Sequence, residues 1–375
     1  MAAENFELRE EVKRGSDKYF LHTTFHRDGN RVNTRYYKDG KCFNTEERSF
    51  ESGAVSEDQA VSLAKSFHNK NRDNFALLLD TREKLRDSQR SSEHIKMARA
   101  LYLKNLFAEA IEEAGIAIDK GEEGAEPYKI IADAYFGLER LEEAMDAVDK
   151  GLALTDGYPD LYNLRGKIYY RRDQCRSAME AFNKAIELNC YYGEPYLNIL
   201  RTYARNSLIK QDYELSRDMK KGFENYLDKA ASLNPGFNAG AAGAIKKMNR
   251  EEDFEGILEQ LKVDRSKPAH RDVDDTVVSL YITILRSGTD IEEEEIDHYL
   301  KRIEKLINQN PNYPDLFNSL GVLYVAKSRI IMDKASEAFS HALEINTDYE
   351  KAKRNIRLSE NERQGIFILL KALLD

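Results

Sequence analysis

The chain has 375 residues, 41% of them hydrophobic and 33% charged, and its 57 basic and 66 acidic side chains give a formal charge of −9. A charged share above the roughly 25% of an ordinary globular domain implies much surface per unit of core, as in an elongated helical array, and the net acidity speaks against wholesale polyanion binding. Twenty glycines and seven prolines are too few for a low-complexity chain, and three scattered cysteines, Cys42, Cys175 and Cys190, suggest neither a disulfide framework nor a zinc site. The longest apolar runs, Phe75–Leu79 and Ile366–Leu370, are too short to span a bilayer, and the first residues lack a targeting pattern. A reduced, cytoplasmic location is the expectation. Residues 1–90 carry 17 basic and 16 acidic side chains, so nearly all the acidity lies beyond them and two modules are expected.

The first module opens with strands. Tyr19–Phe25, Val32–Tyr37 and Cys42–Phe50 are rich in aromatic and β-branched residues and are separated by Asp28-Gly29 and Asp39-Gly40, the steps that primed hairpin turns favour. They predict a three-stranded antiparallel meander. Ser56-x-x-Gln59 then forms a capping-box pattern ahead of a stripe of Ala60, Leu63, Ala64 and Phe67, and Phe75, Leu78, Leu79 and Leu85 mark a second, linking helix. Residues 1–90 therefore read as a small α+β module, β-β-β-α plus a linking helix.

Beyond Ser91 the strand signals stop and a repeat begins. Ala98, Ala132 and Gly166 are 34 residues apart, each at the place where two helices must cross closely. In the clearest copy Tyr162, Gly166, Tyr169, Ala178, Phe182 and Ala185 stand at fixed offsets, and the two preceding copies set Ala110 and Ala117, then Ala144 and Gly151, at the matching places. The pattern resembles the tetratricopeptide repeat, a 34-residue helix–turn–helix. That resemblance implies a mainly α chain, a right-handed α-solenoid with a concave groove.

A fourth unit begins at Tyr196, Leu200 and Tyr203 but reaches Ala230 about eleven residues late, through a longer second helix or a loop near residues 206–211. Residues 237–262 read as a degenerate fifth unit and 273–311 as a sixth. Tyr313-Pro-Asp-Leu-Phe-Asn nearly repeats Tyr158-Pro-Asp-Leu-Tyr-Asn, and Gly321, Tyr324, Ala335, Phe339 and Ala342 restore the pattern with two extra residues between the helices. The repeats thus cover 91–350, irregularly at 204–310, and residues 351–375 form C-terminal capping helices.

No catalytic constellation stands out. Gly236-x-x-x-Gly240-x-x-Gly243 lacks a preceding strand and a following Gly-Lys-Ser/Thr, so close helix packing is its expected role. His22 and His26 share a strand face about 13 Å apart, too far to ligate one metal, and no cofactor is implied. The acidic run Glu292–Glu295 precedes the stripe Ile296, Leu300 and Ile303, where negative charge suits a helix N-terminus.

Binding is better supported. The positions that line the groove in the resembled family correspond here to Lys129, Asp133 and Phe136, then Asn163, Lys167, Tyr170 and Arg171, then Leu197, Arg201 and Arg205. Lys167, Arg171, Arg201 and Arg205 fall at i and i+4 on successive inner helices, which suggests a seat for an acidic or carboxylate-bearing peptide; equally, they suit a solvated face paired to Asp160 and Glu194. The family's two-carboxylate clamp is absent, since Asp133 and Leu164 stand at asparagine positions, so a heat-shock co-chaperone role is disfavoured.

The expected function is a non-catalytic scaffold or adaptor that binds a protein or peptide. The alternative is RNA or an anionic surface, bound by a meander whose Lys18, Arg27, Arg31, Arg35, Lys38, Lys41 and Arg48 stand among aromatics, although its glutamates disfavour nucleic acid. The last helix, with Ile366, Leu369, Leu370 and Leu373 on one stripe, either docks on the last repeat or forms a self-association or partner site.

Overall fold

The computed structural model describes residues 6–15, 17–26, 31–49, 57–234, 239–261, 268–309, 311 and 314–374. Four strands, rather than three, open it: β1 (Phe6–Arg14), β2 (Asp17–His26), β3 (Arg31–Lys38) and β4 (Lys41–Ser49), an antiparallel meander in sequence order. The extra strand escapes a composition-based reading because Phe6-Glu-Leu-Arg-Glu-Glu-Val-Lys-Arg14 is mostly charged. Its period is nonetheless two, with the even-numbered residues turned inward, and Val12 reaches the core. Asp39 and Gly40 both adopt positive φ, 49° and 76°, as the β3–β4 turn requires. The Asp28-Gly29 turn, Arg27 and the Ser56 cap lie outside the described residues.

One helix, α1 (Glu57–Lys84), replaces the two expected and covers the inner face of the sheet. Tyr19, Leu21, Tyr36 and Val12 share a buried cluster with Phe75, Leu78 and Leu79, and the same cluster continues into Met97, Leu101 and Ala110 of the first repeat. The core therefore runs without a break through residues 90 and 91. At that junction Tyr19 Oη donates to Glu109 Oε1 at 3.1 Å and Lys38 Nζ donates to the same oxygen at 2.7 Å. Burial pushes the Tyr19 hydroxyl well above its ordinary pKa, and Glu109 adds to this.

Three helical hairpins follow at the predicted spacing: α2 (Ser91–Leu103) with α3 (Phe107–Asp119), α4 (Glu126–Gly137) with α5 (Leu141–Leu154), and α6 (Pro159–Arg171) with α7 (Cys175–Leu188). The small residues do what the pattern demands, since a Cβ on Gly166 would lie 2.5 Å from the Phe182 ring and one on Gly151 would lie 2.7 Å from Leu161. Each hairpin turns through one left-handed residue, Asn105, Glu139 or Asp173, at φ 59°, 58° and 55°. The fourth hairpin, α8 (Gly193–Ile209) and α9 (Tyr213–Leu233), takes up its extra residues as longer helices rather than a loop. The fifth is α10 (Ala239–Arg250) and α11 (Phe254–Gln260), turning at Lys210 and Glu252 respectively with φ 52° and 56°. Gly236 lies outside the described residues, and a Cβ at Gly243 would meet nothing within 4 Å, so Gly243 does not mark the close helix crossing expected there.

The C-terminal part departs most from expectation. The sixth pair is α12 (Pro268–Ser287) and α13 (Glu293–Gln309), with Ile296, Leu300 and Ile303 buried as predicted. Beyond it, the anticipated hairpin over 313–347 is one unbroken helix, α14 (Pro314–Ile345), and the capping helices are a single helix, α15 (Glu350–Leu374). Tyr313 is outside the described residues. Each of the six hairpins before α14 turns through a left-handed residue, Gly288 in the sixth, whereas Val325-Ala-Lys-Ser-Arg-Ile-Ile-Met-Asp-Lys334 has no glycine, proline or asparagine and no positive φ among its residues. The helix has no reason to stop.

Finally, α12 does not simply continue the array. It packs on α2 and α1, placing Val278 and Ile282 in the cluster of Met97, Leu101 and Ile130, with Ile95, Tyr102 and Leu103 packed against that cluster. Those last three stand at groove positions of the first unit. Lys104 ties the three parts together: its Nζ bonds Glu46 of β4 at 2.9 Å and Asp275 of α12 at 2.6 Å.

Candidate functional site

With the first unit's inner face occupied by α12, the open groove begins at α4. Between α4, α6 and α8 lies a cleft of about 410 Å³, walled by Phe107, Phe136, Gly137, Tyr170 and Phe182 and edged by charged side chains. Five residues predicted from sequence converge there: Phe136, Lys167, Tyr170, Arg171 and Arg201. The Phe136 ring holds two cations, Lys167 Nζ at 5.4 Å from its centroid and the Arg171 guanidinium at 5.5 Å. Burial raises the Tyr170 hydroxyl pKa, against the opposing pull of Arg205 and Arg201.

Each cation also has an anionic or carbonyl partner. Lys167 lies 3.3 Å from Glu194, and Arg171 lies 3.0 Å from Glu139. Arg201 donates from Nη1 to Asn198 Oδ1 and from Nε to the Leu261 carbonyl, both at 2.7 Å, so it closes the C-terminal end of α11. Arg205 stands outside the cleft lining and grips Asp173 through Nε and Nη2 at 2.9 and 3.3 Å. Arg171 and Arg205 thus make the same bond, each reaching back to the left-handed turn residue of the preceding hairpin. Glu139 and Asp173 were not singled out from sequence, yet their 34-residue spacing in the turn marks them.

The remaining predicted residues bond to one another and to their neighbours. Lys129 bonds Asp133 at 3.0 Å; burial alone would lower its pKa, but Asp133 and Asp160 outweigh it and the ammonium is held well above its ordinary value. Asn163 is buried, donates to Tyr192 Oη at 3.0 Å and Glu194 Oε2 at 3.1 Å, and accepts from Asn198 at 2.9 Å. These three residues are not among the cleft lining. Phe107, Gly137 and Phe182, which do line it, were missed as binding residues because two belong to outer helices and the third to a helix end.

Most aromatics of the meander point into the core, while Phe20, 46% exposed, stands opposite Tyr37 on its outer face. Tyr19, Phe25 and Tyr36 are buried, and Phe43 packs on Tyr19 and Phe75, so these aromatics serve the core. Lys38 is taken by Glu109 and Asp17, and Arg31 by Glu47. Among the described residues no group of His, Cys, Asp and Glu could hold a metal, and no helix is long and apolar enough to cross a membrane. A hydroxyl–imidazole–carboxylate line does exist, Thr23 Oγ1 to His68 Nδ1 at 2.8 Å and His68 Nε2 to Glu10 at 3.1 Å, but Thr23 is wholly buried beneath α1.

The stacked helical hairpins and their groove define a helical-repeat array. Residues 159–189, the hairpin that carries Lys167 and Arg171, match the tetratricopeptide repeat family model. No curated protein matches the sequence. Similar solved structures include MamA, at 23% identity over 44% of this chain and 94% of that one with a TM-score of 0.37. YrrB, described as a TPR protein with an unusual peptide-binding site, is 20% identical over 49% of this chain and 93% of its own, TM-score 0.34. The Cut9–Hcn1 hetero-tetramer of the APC/C gives 13% identity over 82% and 60%, TM-score 0.30.

Proposed function

We propose that this chain is a non-catalytic, cytoplasmic adaptor, and that the cleft between α4, α6 and α8 holds a peptide segment of its protein partner. The supporting observation is the convergence of Phe136, Lys167, Tyr170 and Arg171 on one open cleft of about 410 Å³. A space of that size takes one or two side chains. An apolar group would enter between the aromatic walls, and a carboxylate would exchange with Glu139 for the Arg171 guanidinium, a swap of one ion pair for another that selects without adding much affinity.

The test is capture of partners from native extract by the wild type and by a Lys167→Glu/Arg171→Glu variant. Loss of a defined set of proteins from the variant supports the cleft. An unchanged set removes it, leaving the general scaffold role standing.

A further inference from the structure

The unbroken helix α14 leaves uncovered the stripe to which a repeat's second helix would bind. In the unit 159–189, Gly166 receives the Phe182 ring of α7; at the matching Gly321 an added Cβ would meet nothing within 4 Å. The flanking residues of that stripe are exposed, Phe317 and Tyr324 each by 48% and Ile331 by 54%. Beside it runs a groove of about 470 Å³ between α13 and α14, with Leu300 and Glu304 on one wall and Tyr324, Ser328 and Ile331 on the other.

The stripe extends far beyond one repeat helix. Phe317, Tyr324, Ile331 and Ile345 are separated by whole heptads, and the last is 77% exposed. Four residues after Phe317, Tyr324 and Ile331, the positions 321, 328 and 335 hold only glycine, serine and alanine, and 342 continues the series with alanine. A 4–3 alternation of large and small residues over three heptads, resumed at Ile345, is the pattern of a helix seam that expects another helix. In the three pairs from 317 to 335 one position is large and the other small, while Ala338 and Ala342 are both small, so the two ends of the seam are complementary when one copy is reversed. With two copies antiparallel about residues 329 and 330, Tyr324 falls opposite Ala335, Phe317 opposite Ala342 and Ile331 opposite Ser328. That register nearly repeats the match of Gly321 to Phe339 in the tetratricopeptide pattern.

The same chain cannot make this contact with itself. Residues 321 and 339 lie on one continuous helix, about 27 Å apart at 1.5 Å per residue. A second copy can make it twice over by a two-fold axis, which is the isologous arrangement. Lys327 and Lys334 would flank the axis, and each is already neutralised by α13 of its own chain, through Asp297 and Glu293.

The geometry points to a second copy of this chain as the occupant of the α14 stripe, with the two α14 helices antiparallel and each supplying the outer helix that the other lacks. This assigns self-association to α14 and not to α15, whose Leu370 and Leu374 already dock in the core while Ile368 projects outward.

Sedimentation of the full chain over a wide concentration range tests it, with Ile331→Glu and Ile368→Glu beside the wild type and thermal unfolding as the check that each is folded. The expected result is a reversible dimer, weakened at least tenfold by Ile331→Glu and unchanged by Ile368→Glu. A monomer at every concentration overturns the proposal, as does a dimer lost only with Ile368→Glu. Should Ile331→Glu fail to fold, cysteine pairing decides: in chains with Cys42 and Cys190 replaced by serine, Tyr324→Cys mixed with Ala335→Cys should give a disulfide between molecules. These positions are about 16 Å apart along one helix and cannot pair within it. No intermolecular product, or an internal disulfide in the double variant, refutes the arrangement.

Discussion

Replacing Gly166 by alanine adds one methyl group at a tight helix crossing. Its carbon would lie 2.5, 2.6 and 2.9 Å from three atoms of the Phe182 ring, where ordinary contact is about 3.5–4 Å. The ring must retreat by about 1 Å, yet Phe182 is only 1% exposed and belongs to a closed core with Tyr203 and Phe223. Overpacking of this kind costs about 1–3 kcal/mol, while alanine gains about 0.5–1 kcal/mol over glycine inside a helix. A net loss of about 1–2 kcal/mol is expected. The same substitution at Gly365, in α15 and with nothing within 4 Å, should instead stabilise by about 0.5–1 kcal/mol.

Urea unfolding followed by circular dichroism measures the sum, and hydrogen exchange in α6 and α7 locates it, because repeat arrays need not unfold in one step. Phe182→Leu removes the obstructing ring edge, so it should cost about 1 kcal/mol less in the Gly166→Ala background than alone. A Gly166→Ala protein as stable as wild type, or a coupling of zero between the two sites, would refute the reasoning.

The exposed Cys42 and Cys190 should alkylate readily in the native protein, whereas Cys175 is buried and its thiol is pushed up to about 11; peptide mass spectrometry at pH 8 should find it labelled about a hundredfold more slowly, with the rate rising as pH approaches that value. Arg205 holds the Asp173 carboxyl below its ordinary pKa, so the pair stabilises the fold above the ordinary aspartate range and the contribution is lost as pH falls through the depressed value. Asp173→Asn should therefore lower stability at pH 7 by under about 1 kcal/mol, since both groups are part-exposed, with the difference closing in acid; a gap that persists at the lowest pH contradicts the pairing. Burial opposes the Lys104 charge, but Glu46 and Asp275 outweigh it and keep the ammonium above its ordinary pKa; Lys104→Met should strip both carboxylates of their partner, cost about 2–4 kcal/mol and speed amide exchange in α12, and unaltered exchange there would disprove the tie.

How far the sequence discloses this structure depends on whether a feature is local. The three hairpins of 91–190 were legible because their small residues and turns recur every 34 positions, and the cleft residues Phe136, Lys167, Tyr170 and Arg171 follow from that register. β1 was hidden by its charged composition, although its alternation was present. The fusion of α14 was readable in principle, since residues 325–334 lack any turn-former, but the surrounding pattern of Gly321, Tyr324 and Phe339 pointed the other way. The seat of α12 on α2 was not readable at all. Val278 and Ile282 make an ordinary apolar stripe, and nothing local to them names a partner more than 170 residues earlier. Arg201 illustrates the same limit, because its carbonyl partner at Leu261 comes from a hairpin whose position only the folded chain reveals.

A string of stacked hairpins anchored at one end behaves as a soft spring, and its inner curve breathes with every flexing mode. Here α12 fastens the later turns to the first turn and to the sheet at once, through Lys104 and the apolar side chains around Ile282. Such a brace stiffens the spring between its two points of attachment. A guest entering the cleft would then meet walls already at their working separation and surrender less entropy on binding. Cutting the brace should leave the contact surface intact and still weaken the grip.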